Sequence, residues 1–258
     1  MKVSLLLPSY KRPKLLDIGL WSLTTTTIMY DLEILVLNDG ILDNTENICN
    51  KYKNKLNIKY IFTGQRNLNK KEIFRSPSFA LNIGIKQSKG DIIVLSCPEI
   101  FHLNNTIDSI ITPLIDNKKL MSTPKHIYFD NTGEVTNDCH NNLQIPIDKL
   151  ESNTKRCTYA SKLPFLMGTY KKELIDIGGY DEDFTGFACD DDDIVDRLLL
   201  NGLSYFYADA YIVHLYHKKQ YNRKNKNIDN DYLYNLKLFR ERKGKIIRNE
   251  NKEWGVIK

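Results

Sequence analysis

Four short apolar runs in the first hundred residues constrain this chain more than any other feature. Val3 to Leu7 (VSLLL) is stopped by Pro8. Glu33 to Leu37 (EILVL) runs into Asn38-Asp39-Gly40. Ile58 to Phe62 (IKYIF) follows, and Asp91 to Leu95 (DIIVL) ends just before Cys97-Pro98-Glu99. Runs that are nearly continuous in apolar residues, rather than alternating, suit strands covered on both faces, as in a parallel sheet. Between them Lys14 to Leu23, Thr45 to Tyr52 and Phe79 to Ser88 have helical spacing, and Gly90 supplies a helix stop. Strand and helix alternating at this spacing predict an α/β fold with a doubly wound, mostly parallel central sheet flanked by helices.

The second half is less regular. Ile107 to Ile115 is expected to be a helix, and Tyr128 to Asp138, around Asn131-Thr132-Gly133, a hairpin. Lys171 to Ile177 is expected to be a short helix ended by Gly178-Gly179, and Asp190 to Asn201 a helix ended by Gly202. Tyr205 to Val213 is expected to be a strand leading to His214. One main domain is expected over residues 1–217, followed by a polar, basic extension over 218–258 in which Tyr232, Leu233, Leu236, Leu238 and Phe239 mark an amphipathic helix. That tail also carries acids, so it is expected to be a solvated cover or an acceptor-side element.

Composition excludes several classes. With 258 residues and 41% hydrophobic content the chain can bury a large core, and a net charge of +5 is too mild to point to a nucleic-acid protein. Five scattered cysteines without a C-x-x-C argue against a disulfide framework or zinc knuckle and suit a reducing compartment. The N-terminal apolar run is too short for a signal peptide, and no segment approaches the roughly 20 apolar residues of a membrane span. The expectation is a cytoplasmic protein, in a host cell's cytoplasm if the source is viral. There is no G-x-G-x-x-G after the first strand and no G-x-x-x-x-G-K-[ST], which disfavours dinucleotide dehydrogenases and P-loop enzymes.

Open α/β sheets bind ligands beyond the carboxyl ends of their strands, so the loops there carry the chemistry. In Pro8-Ser9-Tyr10-Lys11-Arg12 the Tyr10 ring can stack on a nucleobase and Arg12 can meet a phosphate, or the segment is simply a turn. Asp39 can accept a hydrogen bond from a base N–H, or cap its own turn before Gly40. Glu99 is a hard carboxylate suited to Mg²⁺ or Mn²⁺, with His102 three residues on and His214 a more distant candidate ligand. The alternative for His214 is a satisfied, half-buried histidine.

The run Asp190-Asp191-Asp192-Asp193 stands where a helix should begin. The helix dipole and free backbone N–H groups favour carboxylates there. Four exceed what capping needs, and crowding raises carboxylate pKa toward the range of a general base. Asp193 and Arg197, spaced i,i+4, can pair, which leaves Asp190 and Asp191 on the loop side.

Taken in order, "VSLLLPSYKRP", "EILVLNDGILDNT", "ALNIGIKQSKGDIIVLSCPEI" and "IGGYDEDFTGFACDDDDIVDRLLLNG" make the chain resemble a family 2 glycosyltransferase of the A-type, Rossmann-like fold over roughly residues 3–202. The last piece is also similar to the corresponding stretch of animal β-galactosyltransferases. The resemblance implies a nucleotide-binding half over 1–100 and an acceptor-binding half over 101–217. It implies that Pro8, Ser9 and Tyr10 flank the nucleobase and that Asp39 reads it, most often uracil. Glu99 falls at the last acid of an Asp-x-Asp motif that holds Mn²⁺ or Mg²⁺, and His214 at a late metal ligand. Asp191 falls at the catalytic base and Asp190 at the acid before it. The implied reaction is inverting transfer from a nucleotide-diphosphate sugar to a hydroxyl of a glycan or other acceptor. The sequence departs from the family at Cys97, where the first acid of Asp-x-Asp should be. Competing readings are a sugar nucleotidyltransferase, a catalytically impaired sugar-binding relative, and a nucleic-acid binder that uses the tail.

Overall fold

The computed structural model describes residues 1–64, 76–141, 150, 154–156, 163–218 and 226–257. The first half alternates as the apolar runs require: β1 (Lys2–Ser9), α1 (Pro13–Thr24), β2 (Asp31–Asn38), α2 (Thr45–Tyr52), β3 (Ile58–Phe62), α3 (Ser78–Gln87) and β4 (Ile92–Ser96). These four strands are parallel, in the order β3-β2-β1-β4. The pleat sends alternate side chains to opposite faces. Leu5, Ile34, Val36, Ile92 and Val94 pack with Leu16 and Leu20 of α1 and Cys49 of α2, while Leu6, Leu35, Leu37, Ile93 and Leu95 pack with Phe79, Ile83 and Ile85 of α3. A strand covered on both faces must be apolar at consecutive positions, which is what the runs show.

The second half supplies β5 (Ile100–His102), α4 (Thr106–Asp116), β6 (Leu120–Asp130), α5 (Glu134–His140), β7 (Thr154–Arg156), β8 (Leu166–Tyr170), α6 (Lys171–Asp176), α7 (Asp190–Leu200), β9 (Ser204–His214) and α8 (Lys226–Glu241). The sheet continues past β4 as β8-β6-β9-β5, with β7 on β6. Here the pairing is mixed. β8 is antiparallel to β4 and β6, β9 is parallel to β6, and β5 is antiparallel to β9. The parallel character is thus concentrated in the first half. Among the described residues no helix is long and apolar enough to cross a membrane. Cys49, Cys97, Cys139 and Cys189 are free thiols, and Cys157 lies outside the described residues.

The hairpin expected over Tyr128 to Asp138 is a strand end followed by a helix. The Asp130 carboxylate accepts hydrogen bonds from the backbone N–H groups of Thr132 (3.1 Å), Gly133 (2.8 Å) and Thr136 (2.8 Å) and from the Thr136 hydroxyl (2.7 Å). It thereby serves donors that the first turn of a helix leaves unpaired. Asn131-Thr132-Gly133 is the entry to α5, not a turn between strands.

The C-terminal segment is not merely a solvated cover. Arg248 is buried, with Nη2 2.6 Å from Asp193 Oδ1 and Nε 3.0 Å from Asp181 Oδ2. Asp193 Oδ2 takes the Nε of Arg197 at 2.7 Å, the i,i+4 pair expected from the sequence, and both partners are about 1% exposed. Arg197 also donates to the carbonyls of Ile177 (2.9 Å) and Gly179 (2.8 Å). Removing one member of a buried ion cluster leaves the others uncompensated. Asp193→Ala is therefore expected to cost about 3–5 kcal/mol of unfolding free energy, measured by urea denaturation.

Candidate active site

The loops at the strand ends converge on a cleft of about 400 Å³. Pro8, Ser9, Tyr10 and Arg12 reach it from the end of β1, Asp39 from the end of β2, Glu99 from the turn after β4, His214 from the end of β9, and Asp190 and Asp191 from the start of α7. These residues, singled out in the sequence, all line one cleft, and His102 does not.

The turn after β1 is shaped by Lys11 in a left-handed conformation (φ 55°), after which Arg12 precedes Pro13 at the first position of α1. The Arg12 guanidinium sits against Oε1 of Glu99 in an ion pair. Gly19 lets α1 come this close, since a Cβ there would lie 2.9 Å from the carbonyl oxygen of Ile100 and 3.1 Å from that of Pro98. Asp39 is 2% exposed; its N–H donates to the Ser9 carbonyl (2.8 Å) and its Oδ1 accepts from the Thr63 hydroxyl (2.7 Å). These contacts join the ends of β1, β2 and β3 and hold the carboxylate in place.

The antiparallel pairing of β5 with β9 sets Ile100 opposite His214, and the N–H of Leu215 donates to the Glu99 carbonyl at 2.8 Å. This register brings Glu99 and His214 together although they are far apart in sequence. Cys97 joins them: one donor atom from each of Cys97, Glu99 and His214 lies within 4.8 Å of the others. The His214 ring stacks on Phe129 (centroids 4.9 Å) and meets the edge of Phe165 (5.4 Å). Burial, with the charges of His217 and Arg12, lowers its pKa to about 3, so the ring is neutral and its lone pair is available. Burial pushes the Cys97 thiol up to about 12, and the Asp191 charge adds to that against the pull of Arg12. His102 takes no part. It is 3% exposed, its ring meets the Thr106 hydroxyl, and burial lowers it to about 3, the signature of a core histidine.

The acidic run divides by role. Asp193 belongs to the ion cluster with Arg197 and Arg248. Asp190, 7% exposed, accepts at Oδ2 from the hydroxyls of Ser76 (2.7 Å) and Ser78 (3.1 Å) at the start of α3. Asp191, half-buried on the cleft wall, has its pKa raised well above the usual carboxylate range, by burial first and then by the charges of Asp190 and Asp192.

Two features of the site were not foreseen from the sequence. Ser9 Oγ, Ser96 Oγ and the Tyr180 hydroxyl are buried at the cleft and meet no hydrogen-bond partner among the described residues. The second is Asn235 of α8, 1% exposed. Its Nδ2 donates to the carbonyls of Thr185 (2.7 Å), Phe187 (2.9 Å) and Ala188 (3.0 Å), and its Oδ1 accepts from the Thr185 N–H (3.1 Å). The loop it grips passes through Ala188 and Cys189, both left-handed (φ 77° and 72°), immediately before Asp190. Gly186 (φ 60°) lies so close to α8 that a Cβ would be 2.1 Å from Asp231 Oδ2. A lone asparagine on a tail helix carries no sequence signal for this task.

The chain superposes on S. aureus TarS with a TM-score of 0.63 at 18% identity, covering 94% of this chain and 39% of that one. It also superposes on a mannosyltransferase from Pyrobaculum calidifontis, solved with GDP-Man and Mn²⁺, with a TM-score of 0.59 at 16% identity, covering 91% of this chain and 61% of that one. The fold with its strand-end cleft is that of an A-type glycosyltransferase. Within that class the chain belongs to glycosyl transferase family 2, whose model matches residues 4–171, while a model for the N-terminal domain of galactosyltransferase matches residues 149–218. Escherichia coli chondroitin synthase is 25% identical over 230 residues, covering 78% of this chain and 32% of that protein. The chain thus spans about a third of that relative's length.

Asn235→Ala is expected to lower kcat about ten- to hundredfold with little change in KM for the donor, because it loosens the loop before Asp190 and leaves the cleft residues at the ends of β1, β2 and β4 untouched. Steady-state kinetics, with circular dichroism to confirm folding, measures the split.

Proposed function

We propose that the chain transfers a sugar from a nucleotide-diphosphate sugar, UDP-linked in preference, to a hydroxyl of a glycan or similar acceptor, with inversion at the anomeric carbon. The observation that carries this reading is the arrangement of one cleft: Asp39 and Tyr10 at one part, the Cys97, Glu99 and His214 donors at another, and a carboxylate with raised proton affinity, Asp191, on its wall. Structures of S. aureus TarS with UDP and UDP-GlcNAc, and the GDP-Man and Mn²⁺ complex of the P. calidifontis enzyme, support a nucleotide-sugar donor. The orphaned hydroxyls of Ser9, Ser96 and Tyr180 suit a polar ligand, since buried polar groups are normally satisfied. Cytoplasmic residence accords with the free thiols.

In this mechanism Tyr10 stacks on the base while Asp39, held by Thr63 and the Ser9 backbone, accepts its N–H. Arg12 faces the diphosphate. Glu99 and His214, with Cys97 beside them, fit a divalent ion by donor chemistry and proximity. Such an ion, Mn²⁺ or Mg²⁺, would offset the charge of the departing diphosphate. Asp191 takes the acceptor proton as the acceptor oxygen bonds to the anomeric carbon and the bond to the diphosphate oxygen breaks. One displacement inverts the configuration. Asp190, fixed by Ser76 and Ser78, stands beside the base and holds its proton affinity up.

A screen of nucleotide sugars by donor hydrolysis, with and without Mn²⁺, tests the donor class and separates an enzyme from a merely binding relative. Asp191→Asn is expected to lower transfer by about 10²–10⁴-fold while calorimetric affinity for the nucleotide stays close to wild type. Wild-type turnover by that variant removes Asp191 from the role. A base works deprotonated, so activity rises as pH climbs through the raised Asp191 pKa. Asp190→Asn removes a neighbouring negative charge and is expected to move that acid limb to lower pH in a pH–kcat profile.

A further inference from the structure

We infer that Cys97 is a metal ligand in its own right, and that Cys97, Glu99 and His214 form a sulfur–oxygen–nitrogen site that takes a borderline transition ion such as Co²⁺ or Zn²⁺ in preference to Mg²⁺. The inference rests on the proposed donor-binding cleft but concerns the ion alone. Two separate pieces of the chain supply the donors: the turn after β4 places Cys97 and Glu99, and the end of β9 places His214. Their ligand atoms lie within 4.8 Å of one another, close enough for a single ion to reach all three. Each residue is constrained from outside the trio. Glu99 is 1% exposed, and the bond from the Leu215 N–H to its carbonyl fastens it to β9. His214 is clamped by Phe129 and Phe165. The approach of α1 at Gly19 restrains the backbone on the Pro98 side. Arg12 meets one oxygen of Glu99, and a carboxylate has a second oxygen with lone pairs of its own.

The donor set decides the selectivity. Mg²⁺ is small and hard, demands near-octahedral oxygen ligation and dehydrates reluctantly. A thiolate and an imidazole offer it little, whereas both suit the later first-row ions. As the ion binds, the Cys97 thiol gives its proton to solvent and its sulfur lone pair to the metal, with no change of oxidation state. The chain thus exchanges a hard site for a softer one at the position where a second carboxylate would have made it indifferent to sulfur-seeking metals.

Cobalt reports directly on sulfur ligation, through a thiolate-to-Co²⁺ charge-transfer band in the near ultraviolet. The full chain, reduced and kept anaerobic, is titrated with Co²⁺ alone. The band is expected to appear at one ion per chain and to be displaced by Zn²⁺ at concentrations at least about tenfold below those needed with Mg²⁺. Cys97→Ser is expected to abolish the band and weaken Co²⁺ binding about tenfold or more. Cys189→Ser, which removes the other cleft thiol among the described residues, is expected to keep both. Cys97→Asp is expected to bind Co²⁺ without the band and to close the gap to Mg²⁺. Absence of the band in the wild type, its survival in Cys97→Ser, or equal displacement by Mg²⁺ overturns the inference. Binding of nucleotide sugars is measured separately. Binding without the band refutes this ligand set and leaves the proposed function standing, while the band without any nucleotide-sugar binding does the reverse.

Discussion

The site rests on the carboxylate of Asp193 and the two guanidiniums that neutralise it. A charge this deeply buried is tolerable only when paired and fully hydrogen-bonded. Arg197 and Arg248 meet both needs, one on each oxygen. Arg197 then reaches the carbonyls of Ile177 and Gly179, and so pins the turn that leads to Tyr180. Arg248 reaches Asp181 and carries the C-terminal segment with it. The N-terminal end of α7, the glycine turn and the tail are thereby fixed relative to one another, and Asp191 and Asp190 inherit that rigidity two and three residues away.

A second constraint opposes the first. Two consecutive non-glycine residues, Ala188 and Cys189, adopt left-handed backbone just before the acidic helix. Each costs about 1–2 kcal/mol and persists only where the surroundings over-determine it. Asn235 supplies much of that determination, since one side chain satisfies four backbone groups of the loop. The strain has a use. It turns the chain sharply enough that Asp190 faces the serines of α3 while its neighbour lines the cleft.

What the sequence revealed and what it hid follow the range of the interactions involved. The strands were legible because burial on both faces demands consecutive apolar residues. The strand-end loops followed from the parallel arrangement, and the Asp193–Arg197 pair from helical spacing. The segment from Tyr128 to Asp138 reads as a hairpin in sequence because Asn131-Thr132-Gly133 serves a turn or a helix entry equally well, and only the donors taken by the Asp130 carboxylate decide. The resemblance put Cys97, Glu99 and His214 around one position, but how the chain brings them together was hidden, because the β5–β9 register is set by pairing across the sheet. Asn235 was hidden for the same reason: its partners lie about fifty residues upstream.

The β5–β9 pairing also orders events in time. Glu99 and His214 are separated by more than a hundred residues, and the strand that joins them is among the last laid down. A ribosome can complete the whole β1–β4 block while the Cys97, Glu99 and His214 cluster still lacks its third member. Contacts of such sequence separation form late, after loop-closure entropy has been overcome. The nascent chain can therefore form the β1–β2 end of the cleft well before Cys97 and Glu99 meet His214, and the cleft is complete only when the sheet has closed.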